Sequence, residues 1–133
     1  MAFSLHPQLA ADTVPVEETE EHLILLMNDS QYPWLILVPK QEGLRDLDDL
    51  ESDAYDRTLH RVRALSKTLK AEFSAEKINV AALGNMVPQL HIHIIARFQD
   101  DPAWPAPVWG AKPARPYEKD ALQAMKARML KSL

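Results

Sequence analysis

The chain has 133 residues, 47% of them hydrophobic and 26% charged, close to the globular average and enough for one packed core. A net charge of −4 argues against a broad basic face for duplex nucleic acid. The absence of cysteine excludes disulfides, thiol catalysis and thiolate metal sites, and fits a reducing, cytoplasmic setting.

The first twenty residues read as a polar lead-in with short extended pieces, ending in Glu17, Glu18, Glu20 and Glu21. Two apolar runs come next, 23–27 and 34–38, separated by Asn28, Asp29, Ser30, Gln31, Tyr32 and Pro33. Both are too short to cross a bilayer, and no apolar block follows a basic start, so neither a membrane-spanning nor a secreted protein is expected. The Asn, Asp, Ser and Pro between them are turn formers, which predicts two strands joined as a hairpin. Pro39 closes the second strand, and Gly43 loosens the connection to the next element.

Over 46–73 the period changes. Leu50, Ala54, Leu59, Val62, Leu65, Leu69 and Phe73 recur at three- to five-residue steps among charged residues, the pattern of an amphipathic helix with one stripe on a sheet. Asp46, Asp48 and Asp49 near its start and Arg61, Arg63, Lys67 and Lys70 in its second half suit the helix dipole. A third strand is expected over 78–83, ended by Gly84 and Asn85, and a fourth over 89–98, where polar and apolar residues alternate. Half of the chain's ten prolines lie in 102–116 with Trp104 and Trp109; that density forbids a continuous helix or ladder and predicts an ordered loop or flap. A last helix is expected over 117–133, with Leu122, Met125 and Met129 on one face. Strands, helix, strands, helix is the order of an α+β fold with an antiparallel sheet.

The chemistry concentrates in 89–95. On a regular strand Gln89, His91 and His93 share one face, while Leu90, Ile92 and Ile94 share the other. The apolar face can pack beneath the long helix; two imidazoles and an amide call for water, a ligand or satisfied polar partners. Neighbours on that face stand roughly 6.5–7 Å apart, close enough to touch one phosphate-sized group. His-x-His on a strand is also a two-ligand metal arm, which needs a third ligand from His6, His22, His60 or a distant carboxylate. Nothing singles out any of these, and the three histidines are expected at the surface. Arg97 shares the parity of the histidines; it reads as a solvated strand end, with a phosphate contact as the alternative. Trp104 or Trp109 could close over a base or sugar, though a structural and dimer-related role is favoured for at least one.

The segment Gly84-Asn85-Met86-Val87-Pro88-Gln89-Leu90-His91-Ile92-His93-Ile94-Ile95 resembles the signature of the histidine triad (HIT) superfamily. There a Gly-Gln-x-Val-x-His run is followed by two further histidines alternating with apolar residues. The hairpin carrying Asn28 and ending in Val38-Pro39-Lys40, and the Asp-Leu entry to the long helix, extend the likeness over most of the chain. The resemblance implies a HIT-like antiparallel sheet of about five strands with one long and one C-terminal helix, in one domain spanning 1–133 and commonly homodimeric. It implies binding of a nucleotide or nucleotide conjugate and hydrolysis or transfer at the α-phosphate, without cofactor, metal, nucleic acid or membrane.

Position by position, the resemblance makes His91 the nucleophile, His93 the residue that orients nucleophile and phosphate, Asn85 with Gly84 the phosphate-binding pair, and Asn28 the ribose contact. Gln89 stands where the first triad histidine is expected, and Trp34 where an upstream histidine is expected. A glutamine hydrogen-bonds but cannot shuttle a proton at neutral pH. Two alternatives stay open: a nucleotide-binding module with weak or no turnover, and a metal-dependent hydrolase.

Overall fold

The computed structural model describes residues 2–133. Five antiparallel strands form one sheet: β1 (Thr13–Glu18), β2 (His22–Met27), β3 (Trp34–Pro39), β4 (Lys77–Ala81) and β5 (Ile92–Arg97), in the order β1-β2-β3-β5-β4. Three helices accompany it, α1 (Pro7–Asp12), α2 (Ser52–Phe73) and α3 (Lys119–Ser132). Among the described residues no helix is long and apolar enough to cross a membrane.

The hairpin forms as expected. Its strands β2 and β3 read as unbroken apolar runs because both faces of the sheet are covered. On one face Ile24, Leu26, Leu35, Leu37, Ile92, Ile94 and Ala96 pack against Val62, Leu65 and Leu69 of α2 and Met129 of α3. On the other, Leu23, Leu25, Trp34, Ile36, Val38 and Ile95 lie under Leu9 of α1 and under Ala103 and Val108 of the proline-rich loop. Each fully buried Leu or Ile contributes about 1.5–3 kcal/mol relative to exposure, so the two-sided centre of the sheet dominates stability.

Several expectations are corrected. The lead-in holds the helix α1 in addition to a short extended piece, β1, of the kind expected there; Pro7 opens α1, and the ring Nδ1 of His6 accepts the Gln8 amide at its N-cap. The long helix starts at Ser52, not near Asp46. Asp46 and Asp49 instead close a short 3₁₀ turn (Leu47–Asp49), after which Leu50 is extended. Leu50 buries in a separate cluster with Leu44 and Leu90. On α2 the buried stripe is Thr58, Val62, Leu65 and Leu69, while Leu59 is exposed. Thr58 takes the inward position because His22 needs a partner there: the His22 Nε2 and Thr58 Oγ1 are 3.0 Å apart. His22 is thus buried rather than superficial, and burial holds its pKa below the ordinary value, with Glu21 opposing the shift. The third and fourth strands are shorter than expected, at Lys77–Ala81 and Ile92–Arg97, and α3 begins at Lys119.

Candidate functional site

β5 pairs with β3 so that His93 lies opposite Ile36 and Ile95 opposite Trp34. Trp34 and His93 are therefore diagonal neighbours on one face, where large rings reach each other. Upstream of Ile92 the chain leaves the ladder. Pro88 has no N–H to give, and the Leu90 amide donates to Leu44 O instead of to a strand.

That departure decides Gln89. Its Oε1 accepts from the His6 amide at 2.8 Å and its Nε2 donates to Ser4 O at 2.9 Å. The side chain straps down the N-terminal segment and does not stand beside the imidazoles, because strand parity does not extend to residue 89. Its backbone carbonyl does meet the site: the ring Nδ1 of His91 lies 2.7 Å from Gln89 O. A carbonyl can only accept, so His91 Nδ1 carries the hydrogen and Nε2 keeps its lone pair.

His93 is held the opposite way. Trp34 Nε1 donates to His93 Nδ1 at 3.0 Å. An indole can only donate, so His93 Nδ1 is the bare nitrogen and Nε2 carries the hydrogen. Burial pushes the His93 pKa down to about 3, with His91 adding a smaller push in the same direction. The two imidazole centroids are 4.9 Å apart. Trp109 stands edge-on to His93 at 5.2 Å and to Trp34 at 6.1 Å, both T-shaped. Such ring pairs each contribute about 0.5–1.5 kcal/mol beyond their burial.

The rings of His91, His93 and Trp109 form one wall of a cleft of about 350 Å³, with Trp34 behind them. Leu9 and Asp12 of α1, Met27 and Ile36 of the hairpin, and the connection Leu83, Gly84, Asn85, Met86 and Val87 supply the rest. Gly84 has φ +79°, a left-handed backbone that favours glycine. Of the residues expected in the site, the structure gathers His91, His93, Gly84 and Asn85 around the cleft. Asn28 does not line it: its Oδ1 accepts from the Tyr117 amide at 2.9 Å, and the turn 28–31 spends itself pinning 113–117. There Ser30 donates to Arg115 O, and Gln31 Nε2 donates to Pro113 O.

Arg97 is neither solvated nor a phosphate contact. It is 2% exposed; its guanidinium donates to both oxygens of Asp101, to Asn79 Oδ1 and to Ala106 O, and its charge faces the Tyr32 and Trp104 rings. Burial raises the Asp101 pKa, but Arg97 and the Phe98 and Trp104 amides outweigh it and leave the carboxyl at about 2. This knot fixes the start of the loop that delivers Trp109. His60 is exposed, His6 caps α1, and among the described residues no group of three or more His, Asp or Glu is placed to hold a metal ion.

The HIT domain model matches residues 8–100. The chain belongs to the HIT family. A histidine triad protein from Marinobacter aquaeolei is 47% identical, with a TM-score of 0.96 over 100% of this chain and 97% of the other. Histidine triad proteins from Sinorhizobium meliloti (37% identical, TM-score 0.94, covering 98% and 97%) and Bradyrhizobium japonicum (36%, TM-score 0.95, covering 99% and 98%) share the same architecture. No significant match is found among curated proteins. Three features of this HIT domain escaped sequence reasoning: the Trp34–His93 bond, the α1 wall of the cleft, and the edge contact of Trp109. Trp34 at the expected histidine position was the one available signal.

Proposed function

We propose that this HIT protein binds a nucleotide or nucleotide conjugate in the cleft and acts on its α-phosphate through His91. The observation that carries this reading is the His91–Gln89 carbonyl contact, which puts the ring hydrogen on Nδ1 and leaves the Nε2 lone pair of His91 without a hydrogen-bond partner among the described residues, in a ring whose centroid is 4.9 Å from that of His93. The Nε2 lone pair attacks phosphorus and the leaving group departs with its bonding pair. Water then displaces His91 from the nucleotidyl-histidine, its proton passing to solvent. His93 Nε2–H, Asn85 and the amides around Gly84 are the donors available to the phosphoryl oxygens. Gln89 takes the place of the first triad histidine and contributes its carbonyl rather than its amide. The reading carries a cytoplasmic location, and a homodimer is supported by the open edge of β4, where Val80 is half exposed, and by the half-exposed Leu83 just beyond it.

The test is release of nucleoside monophosphate from a panel of phosphoramidates, dinucleoside polyphosphates and nucleotide sugars, with His91→Ala as the paired control. Turnover that falls at least ~10³-fold in the variant, with a nucleotidyl adduct on His91 trapped by acid quench, is the expected result. Binding by both proteins with turnover by neither would establish a nucleotide-binding module instead.

A further inference from the structure

We propose that Trp34 is a positioning residue that locks His93 as the neutral Nε2–H tautomer, and that this restricts the site to substrates whose leaving group departs as an anion. The proposal rests on the reading of His91 as the nucleophile.

Few groups in the cleft can move a proton. Its titratable side chains are Asp12, His91 and His93. His91 is committed to attack: Nδ1–H is tied to Gln89 O, and Nε2 must be bare to reach phosphorus. Asp12 as a carboxylate accepts only, and one of its oxygens already takes a hydrogen from the Gln8 side-chain amide at 2.9 Å. His93 could serve as an acid only by becoming an imidazolium, which requires a hydrogen on Nδ1. The indole N–H of Trp34 points at that nitrogen from 3.0 Å, so protonating it would set two hydrogens against each other and abolish the bond. Burial opposes the charge as well. The result is a neutral imidazole N–H, a good hydrogen-bond donor to a phosphoryl or leaving oxygen and a poor proton donor.

The displacement forms the His91 N–P bond and breaks the bond from phosphorus to the leaving group, so it needs a leaving group that carries off that bonding pair unaided. A phosphate, a phosphorylated sugar, a carboxylate or an aryl oxide does this. An amine on phosphorus does not, since it leaves only after receiving a proton. Trp34 is rigidly placed for the part: it is 5% exposed, paired opposite Ile95 in the sheet centre, and flanked by T-shaped contacts to Tyr32 and Trp109.

The experiment has two independent arms. In the first, ¹⁵N-histidine-labelled protein is examined by long-range ¹H–¹⁵N correlation between pH 5 and 8. His93 is expected to show the Nε2–H pattern throughout, and in Trp34→Phe the pattern should shift toward mixed tautomers. An Nδ1–H or imidazolium pattern in the native protein, or an unchanged pattern in the variant, overturns the role of Trp34. The native spectrum alone decides the matter if the variant does not fold. In the second arm, the 4-nitrophenyl ester and the phosphoramidate of each of the four ribonucleoside 5′-monophosphates are compared. The native protein should prefer the ester by at least ~100-fold in kcat/KM. Trp34→Phe should lose about fivefold in kcat on the ester at nearly constant KM, the worth of one ordinary hydrogen bond, while its preference over the phosphoramidate shrinks at least ~10-fold. Equal use of ester and phosphoramidate by the native protein overturns the leaving-group restriction while sparing the His91 reading. Failure to cleave either overturns both, and the spectrum still judges Trp34.

Discussion

Asp101→Ala removes the carboxylate that closes the knot behind the site. The native side chain is 4% exposed and its partner Arg97 2%. It accepts from Arg97 Nε and Nη2 and from the amides of Phe98, Ala103 and Trp104. After the substitution Arg97 keeps only Asn79 Oδ1 and Ala106 O, and its charge stays in the interior without a counter-ion. Breaking such a pair from one side costs about 3–5 kcal/mol, far more than the pair's net contribution, because the surviving charge is stranded. With an unfolding entropy of ~2.1 cal/mol/K per residue, a chain of this length should lose roughly 10–18 °C in Tm. Thermal unfolding followed by circular dichroism at pH 7 gives the number. Asp101→Asn, which keeps the shape and some acceptor capacity, should fall between native and alanine. A loss below ~3 °C for the alanine variant would mean that water reaches Arg97 freely, and the account of the loop anchor would be wrong.

Two further predictions concern His93 in the cleft and the Gln89 strap outside it. His93 holds a folded-state pKa of about 3 against an ordinary 6.5, so the unfolded chain binds the extra proton between those values and stability falls as pH drops through that window. The loss reaches ~2 kcal/mol by pH 5, and His93→Gln should abolish that part of the slope in urea titrations. A native stability that stays flat from pH 7 to 5 contradicts the burial argument. Gln89→Ala should release residues 4–6 from the strap, speeding exchange of the His6 amide at least ~10-fold. Hydrogen exchange read by mass spectrometry decides this, and unchanged protection there would show that the segment is held without the strap, by Phe3 and Leu5 packing and the bond from the Ser4 amide to Glu42.

Much of the fold was legible in order along the chain. The hairpin announced itself through two apolar runs around turn residues, the long helix through its three-to-five-residue period, and the flap through its prolines. The boundaries that failed did so for tertiary reasons. Asp46 and Asp49 satisfied each other in a separate turn, and Thr58 displaced Leu59 from the buried stripe because a buried histidine on β2 needed a hydroxyl. The six-residue α1 has one buried apolar anchor, Leu9, too few to produce a period.

The sequence by itself determined which chemistry was available. Alternating histidines beside a Gly-Asn turn and the absence of cysteine put two imidazoles on one face, and it was the resemblance of that segment to the HIT signature that implied phosphorus chemistry on imidazole. Only the tertiary structure decided which nitrogen does what. A tautomer is set by the partner of the opposite ring atom, and those partners are a carbonyl two residues back for His91 and an indole 59 residues away for His93. Parity along a strand placed the rings on one face, but it cannot reach across strands, and it failed at Gln89 where the ladder had not yet begun. Arg97 shows the same limit: its parity was right and its surroundings were not, because a loop contributed by later residues closed over it.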